Sequence, residues 1–154
     1  MRAIVNASPL ILLDKIDRLS VLNQIFTSIY IPDAVLQEIT PDTLVKQSLD
    51  LQKVTFLPLK VSNRIAVHGL LGRFHSGEAE VLIGALEHGI EWVVLDERAA
   101  RSKAKQLGLS VTGTLGVLLR AKEKGILHDL SSEIAALRAA GMYIADDVEK
   151  MILK

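Results

Sequence analysis

Three apolar, strand-like runs of this chain each end on an oxygen-bearing side chain. Those side chains belong to Asn6, Asp96 and Thr112. In an open parallel sheet, the carboxyl ends of the strands gather at one edge, and ligands bind in the crevice outside them. Two helical acids, Glu38 and Glu80, can join that crevice. Because Mg²⁺ and Mn²⁺ prefer oxygen ligands, the pattern predicts a divalent-metal site, and the chemistry that it favours is phosphodiester hydrolysis.

Each acidic candidate also has a plain structural interpretation. Asp96 follows a buried run, where an unpaired carboxylate is costly, so a ligand role is favoured. Alternatively, Asp96 caps the helix that begins at Glu97. Glu97 stands in a first helical turn, where an acid is expected anyway, and is a secondary candidate ligand. Glu38 lies one turn after Val35 and is either a crevice acid or a solvated helix residue.

Glu78 and Glu80 share one predicted helix, and residues two apart point to different faces. Only one of them can therefore face the crevice. Glu78 suits the first turn of the helix, where an acid interacts favourably with the dipole. Glu80 lies on the same side as Ile83 and Gly84, and a small residue there lets another segment approach. We expect Glu80 to be the crevice residue.

Candidate phosphate contacts follow the fourth and fifth predicted strands. Arg98, Arg101 and Lys105 recur along one face of a helix, which predicts either an RNA-binding face or an ordinary solvated one. Thr112 and Thr114 join a strand end to a helix start, where an anion is favoured, although simple helix capping explains them equally well.

The order of the elements predicts the fold that brings these residues together. Strands are predicted at 2–5, 28–31, 54–59, 92–95 and 109–111. Helices are predicted from Ser8 and Pro9 onward, after 32, and at 20–26, 43–51, 77–88, 97–107, 113–124, 129–140 and 146–153. Strands alternating with helices indicate an α/β fold, a three-layer α/β/α sandwich with a parallel sheet of about five strands. We expect residues 1–154 to form one domain.

The composition excludes several classes of function. The chain has 154 residues and no cysteine, so thiol catalysis and disulfides are ruled out. Eighteen basic residues balance 18 acidic ones, so nucleic acid can bind only through a local patch. No run approaches the roughly 20 apolar residues of a membrane span. We expect a cytoplasmic protein with no membrane partner, and the absence of net charge favours a homo-oligomer, most simply a dimer.

Five stretches taken together resemble PIN-domain proteins. They are VNASPLI (5–11), IPDAVLQE (31–38), GEAE (77–80), LDERAAR (95–101) and VTGTLG (111–116). The resemblance covers nearly the whole chain and is to a branch of predicted prokaryotic nucleic-acid-binding proteins akin to the toxins of toxin–antitoxin pairs. It implies a Mg²⁺- or Mn²⁺-dependent ribonuclease, with RNA and an antitoxin protein as partners.

The resemblance also implies site residues. The acidic positions map onto Asn6, Glu38, Glu80 and Asp96, and a phosphate-binding arginine maps onto Arg101. Active members usually have aspartate at the first position. Asn6 offers a carbonyl oxygen without a charge, so we expect weaker metal affinity and slower cleavage. The alternatives are a nucleic-acid-binding or regulatory protein of the same fold that has lost catalysis, and a unit that works through a protein partner.

Overall fold

A five-stranded sheet forms the centre of the computed structural model, which describes residues 1–39 and 49–154. Its strands are β1 (Arg2–Val5), β2 (Ser28–Pro32), β3 (Leu57–Leu59), β4 (Trp92–Val94) and β5 (Ser110–Thr112). Their order in space is β3-β2-β1-β4-β5, and every neighbouring pair is parallel. The chain therefore starts in the central strand and builds outward on both sides of it. The reversal of strand order between β1 and β4 opens a crevice at their carboxyl ends.

Helices cover both faces of this sheet. In the described residues they are α1 (Ala7–Lys15), α2 (Val21–Ile25), α3 (Asp33–Ile39), α4 (Arg64–Leu70), α5 (Ser76–His88), α6 (Arg98–Gln106), α7 (Thr114–Glu123), α8 (Leu130–Ala139) and α9 (Asp146–Ile152). Helices α3 and α4 pack against α5, which lies on β1, β2 and β4. Helices α1, α2 and α8 pack against α7. The predicted α/β/α sandwich with five parallel strands is confirmed.

The core lies between the sheet and these helices. Strands β1 and β4 are buried on both faces, as a parallel sheet covered by helices requires. Burying one such Val, Leu or Ile side chain contributes about 1.5–3 kcal/mol. Gly84 brings α5 close to the sheet, because a Cβ there would lie 2.7 Å from Leu59 Cδ2.

Strands β3 and β5 start later than predicted because other groups form hydrogen bonds with the backbone before them. The Asn23 side chain donates to Thr55 O at 2.7 Å and accepts from Thr55 N at 2.8 Å, so β3 starts only at Leu57. Leu109 N donates to Ala104 O at 3.0 Å and thus closes α6, which delays the start of β5 to Ser110. The helix predicted at 43–51 falls mostly outside the described residues, and Leu51–Lys53 form one 3₁₀ turn.

The helix starts also differ by one or two residues from the predicted ones. α1 begins at Ala7 with the extended Asn6 at its cap position, so Ser8 lies inside the helix and its hydroxyl donates elsewhere. α5 begins at Ser76 with His75 as its cap, and the His75 backbone N–H donates to Glu78 Oε1 at 3.1 Å. Asn6, which directly follows β1, is thereby held at the carboxyl edge of the sheet.

Charged pairs hold the outer elements in place. Arg18, after α1, donates from Nε and Nη2 to Glu133 Oε1 on α8 at 2.9 and 2.7 Å. Arg138 donates to Glu149 Oε2 at 2.6 Å and to Ile144 O at 2.7 Å, which ties α8 to α9. The loop between these helices, residues 140–145, is thus fixed at both ends.

A carboxylate on α5 closes the turn before α4. Glu87 accepts from Ser62 N and Asn63 N, with shortest distances of 2.9 and 2.7 Å. The Ser62 N–H is the main cause that lowers the pKa of Glu87 below its ordinary value. Across residues 1–39 and 49–154, no helix is both long and apolar enough to cross a membrane.

Candidate active site

A cavity of about 550 Å³ opens at the carboxyl ends of β1 and β4. The two strands are joined there by a hydrogen bond of 3.1 Å from Asn6 N to Val94 O. One side of the cavity is lined by the Asn6 amide, the Ser8 hydroxyl and the carboxylates of Glu38, Glu78, Asp96 and Glu97. An apolar wall formed by Ile11, Leu12, Met142 and Tyr143, with Lys15 beside it, lines the other side. The cavity therefore lies at the predicted crevice, at the edge that the strand order defines.

Asn6 carries an unsatisfied acceptor at this cavity. Its side chain is 8% exposed, and among the described residues Asn6 Oδ1 is the one buried side-chain atom that lacks a hydrogen-bond partner. Leaving a buried acceptor unpaired costs about 1–3 kcal/mol. Gly77 lets Glu38 approach it, because a Cβ on Gly77 would lie 3.4 Å from Asn6 Oδ1 and 3.0 Å from Glu38 Oε2. The side-chain oxygens of Asn6 and Glu38 thus both lie next to Gly77.

Asp96 is held by hydrogen bonds from two helices. Its Oδ1 accepts from Thr114 N at 2.7 Å, and its Oδ2 accepts from Thr114 Oγ1 at 2.7 Å and from Ser8 Oγ at 3.2 Å. The start of α6 has no side-chain cap, so the alternative that Asp96 caps the helix after it is wrong. Asp96 instead binds the first turn of α7. Gly113 makes room for it, because a Cβ there would lie 2.8 Å from Asp96 Oδ1.

Glu78 and Glu97 form a carboxyl pair in the cavity. Glu78 is 5% exposed. Burial is the main cause that raises the pKa of Glu78, the His75 backbone N–H opposes it, and a hydrogen bond with the Glu97 carboxyl raises the pKa further. Two carboxyls in contact repel each other when both are ionised. A cation or a shared proton relieves that repulsion.

Glu80 has a different place from the one expected. It is 5% exposed, and its Oε1 accepts from Ala34 N at 3.0 Å while its Oε2 accepts from Arg64 Nη1 at 2.8 Å. Both carboxylate oxygens are thereby turned toward the start of α3 and toward α4. The cavity is lined by Glu78 and not by Glu80, so the orientation predicted for the two glutamates is wrong. Glu80 instead holds the helix that carries Glu38.

The donor set fits a hard cation by its chemistry. The amide and the four carboxylates that line the cavity all offer oxygen, and the amide oxygen is buried and unpaired. In the part of the chain that the structure describes, no three His, Asp or Glu side chains lie close enough together to ligate one ion. Mg²⁺ commonly keeps several waters and takes only one or two carboxylates directly. A direct bond from Asn6 Oδ1 and one or two acids therefore suffices.

The predicted phosphate contacts are mostly used inside the protein. Thr114 is fully buried, and both of its donors serve Asp96. Thr112 is also buried, and the Arg101 guanidinium donates to Leu95 O at 3.0 Å. Thr112 and Thr114 are therefore not placed for direct contact with a phosphate. Arg98 is exposed and borders a groove beside the cavity.

Several cavity residues were not predicted from the sequence, and Glu78 and Tyr143 are two of them. Glu78 was assigned to the helix dipole, and its signal was the glycine before it, Gly77, which lies against the Glu38 carboxylate. Tyr143 is 88% exposed and stands on the apolar wall, far along the chain from every motif. No local pattern in the sequence indicates its position.

The fold and the cavity define a parallel α/β/α protein with a ligand site at the carboxyl edge of its sheet, and comparison with protein families gives its family. A family model for the PIN domain matches residues 2–154, and the chain belongs to that family. PIN domains are nuclease domains that bind nucleic acids and generally use divalent metal ions. No curated protein matches the chain in sequence.

Proposed function

We propose that this protein is a divalent-metal-dependent ribonuclease, with Mg²⁺ or Mn²⁺ held directly by Asn6 Oδ1 and by one or two of the carboxylates of Glu38, Glu78 and Asp96. The main support is the buried, unpaired Asn6 Oδ1 at a cavity that four carboxylates also line. A folded protein seldom leaves such an acceptor without a partner, and a bound cation supplies one. Family membership gives the chemical class, because PIN domains are nucleases.

Each cavity residue has a part in this proposal. A bound divalent ion supplies an activated water and neutralises charge on the scissile phosphate. Asp96 is oriented by the amide and hydroxyl of Thr114. The Glu78–Glu97 pair, with the raised pKa of Glu78, supplies carboxyls whose mutual repulsion a bound cation would relieve. Glu80 does not touch the cavity and acts by fixing α3, which carries Glu38.

Cleavage of a mixed RNA pool tests this proposal. We expect cleavage with Mn²⁺ or Mg²⁺ and none with excess EDTA. Asp96→Asn should reduce the rate at least about 100-fold, because a carboxylate that touches the reacting centre supplies charge that an amide cannot. Glu87→Gln is the matched control, since Glu87 closes a turn away from the cavity. Metal-independent cleavage, or full activity of Asp96→Asn, would refute the proposal.

A second candidate function is binding of nucleic acid without cleavage. The specific observation in its favour is Asn6, which brings no charge to the position where active relatives have an aspartate. The same assay separates the two functions, because a binder retains RNA in the presence of Mn²⁺ without shortening it.

We propose further that the ribonuclease acts in the cytoplasm as the toxin of a toxin–antitoxin pair and forms a homodimer. The support is the resemblance of its five motifs to such toxins. Induced expression should arrest growth, and Asp96→Asn should relieve the arrest. Normal growth during expression of an RNA-cleaving wild type would exclude the toxin role. Sedimentation at micromolar concentration tests the dimer.

A further inference from the structure

A second groove, lined by three basic side chains among others, adjoins the acidic cavity. It encloses about 510 Å³ along the exposed side of α6. Arg98 and Lys103 come from α6, whereas Arg73 comes from the connection between α4 and α5. Ser102 adds a hydroxyl between them. Since the whole chain has no formal net charge, three cations around one groove form a local positive patch.

The three cations of this basic groove have no acidic partner. Within residues 1–39 and 49–154, no carboxylate forms an ion pair with Arg73, Arg98 or Lys103, although six other contacts between Lys or Arg and a carboxylate occur there. The Arg73 guanidinium lies over the ring of buried Phe74, 5.6 Å from its centroid, which restricts where it can point. Their charges are therefore available to an anion from outside.

Glu97 places the basic groove next to the proposed cleavage site. Its side chain lines both the acidic cavity and the basic groove, so the two share one boundary. An anion bound over Arg98 and Lys103 is thus held close to the carboxylates, whereas those carboxylates alone repel a polyanion. A strand that enters the cavity needs cations beside it to offset this repulsion.

We infer that the basic groove binds the phosphodiester backbone of the RNA strand that is cut in the acidic cavity. Arg73 and Arg98 pair with phosphate oxygens through their guanidinium forks, and Lys103 does so as a point charge. The groove holds phosphates that are not cleaved, while the cavity receives the phosphate that is. This inference rests on the proposed ribonuclease function and gives the path of the RNA strand, from the acidic cavity into the basic groove.

Equilibrium binding without metal tests the groove separately from catalysis. The probe is a fluorescein-labelled 12-nucleotide single-stranded RNA of mixed sequence, titrated by anisotropy in EDTA at several salt concentrations. Each phosphate contact to a single strand contributes about 0.7 to the slope of log K against log salt. The triple variant Arg73→Gln, Arg98→Gln, Lys103→Gln should lower that slope by about 2 and weaken binding roughly 100-fold at 0.1 M salt.

A control of equal charge distinguishes the groove from the overall field. Lys60→Gln, Lys122→Gln and Lys124→Gln together remove the same three charges from exposed positions outside both cavities. They should change binding less than about threefold. The single variant Arg98→Gln guards against misfolding of the triple variant, with an expected loss of about fivefold and a slope change of about 0.7.

Three results would overturn the inference. The first is unchanged RNA binding by the groove variants, and the second is an equal loss in the control variant. The third is a basic groove that binds polyglutamate but not RNA, which would indicate an acidic protein partner. If the wild type fails to cut RNA with Mn²⁺ yet the groove variants show the predicted slopes, the proposed catalysis fails and the groove stands. If the wild type cuts but the slopes do not change, the groove assignment alone fails.

Discussion

Replacing Asn6 with aspartate puts a charge where the protein has an unpaired oxygen. The two side chains have nearly the same shape, so Asn6→Asp alters electrostatics and little else. Asn6 Oδ1 is buried and lies across Gly77 from Glu38 Oε2, with both oxygens within 3.4 Å of the point where a Gly77 Cβ would stand. Without metal, we expect the new carboxylate to be repelled by Glu38 and to lose its hydration.

The size of the electrostatic repulsion follows from the separation of the two oxygens, which the distances of 3.0 and 3.4 Å to the Gly77 Cβ position limit to about 6 Å. Two unit charges about 6 Å apart at an effective dielectric constant near 20 interact by roughly 3 kcal/mol. Because Glu38 is exposed, solvent screens part of this energy, and we expect Asn6→Asp to lower the free energy of unfolding by about 1–2 kcal/mol in EDTA. For a chain of this size, that lowers Tm by about 2–8 °C. With Mn²⁺ present the sign reverses, and the ion should bind at least about tenfold tighter than to wild type, a gain of about 1.4 kcal/mol.

Thermal unfolding in EDTA and in Mn²⁺, together with a calorimetric Mn²⁺ titration, measures both effects. Asn63→Asp is the matched control, because Asn63 is exposed and its side chain accepts from Ala66 N at 3.1 Å at the start of α4. An added charge there favours the helix dipole and should not affect Mn²⁺. If Asn6→Asp unfolds at the wild-type temperature in EDTA and its Mn²⁺ isotherm is unchanged, Asn6 does not face a cation site.

Three further predictions concern pH, space and substrate. Protonation of Glu78 favours the folded state because its pKa is raised, so its stabilising effect is complete below pH 4.5 and is lost as pH rises through the folded-state pKa. Glu78→Gln should therefore be more stable than wild type at pH 7, by about 1.4 kcal/mol for each unit of raised pKa, and equal to it near pH 4 in urea melts. Glu87→Gln should show the opposite sign, since the lowered pKa of Glu87 stabilises the fold above pH 4.5 and this contribution is lost on acidification. Gly113→Ala should destabilise the fold by about 1–3 kcal/mol and weaken Mn²⁺ binding, because its Cβ would meet the cavity aspartate, whereas Gly69→Ala meets nothing within 4 Å. Tyr143→Ala should weaken binding of the 12-nucleotide RNA by about 1–3 kcal/mol through lost stacking on a base, without changing Tm.

Each of these has an outcome that would contradict its reasoning. A pH-independent difference between wild type and Glu78→Gln would mean that the pKa of Glu78 is not raised in the folded protein. Equal effects of the two glycine variants would show that the space beside Asp96 is not restricted. Wild-type RNA affinity in Tyr143→Ala would remove the apolar wall from the substrate site.

The fold was predictable because its signals are local and repeated. Apolar runs such as those of β1 and β4, each followed by a helix, admit few arrangements other than a parallel sheet covered on both faces. The errors at β3 and β5 come from contacts that are distant along the chain or that close a neighbouring helix. The Asn23 side chain forms hydrogen bonds with the backbone of Thr55, which is 32 positions further along the chain. No window of sequence around residue 55 contains that information.

The site was predictable only as far as strand ends define it. Asn6 and Asp96 lie where the carboxyl edge of the sheet requires, because β1 and β4 are hydrogen-bonded neighbours. The sequence predicted Glu80 rather than Glu78 as the cavity residue because Gly84 indicates a close approach on the side of Glu80. Gly84 meets the apolar side chains of Leu59 and Val61, whereas Gly77 meets the polar oxygens of the cavity. A glycine indicates that another segment comes close, but its sequence context does not say which segment.

The position of β1 at the centre of the sheet has a consequence for synthesis of the protein. Ribosomes add about 5–20 residues per second, so on the order of 5–20 s separate the appearance of Asn6 from that of Asp96. During that time the first strand lacks its neighbour β4, and the two halves of the cavity have not met. A nascent chain that ends before Asp96 therefore lacks half of the proposed metal site.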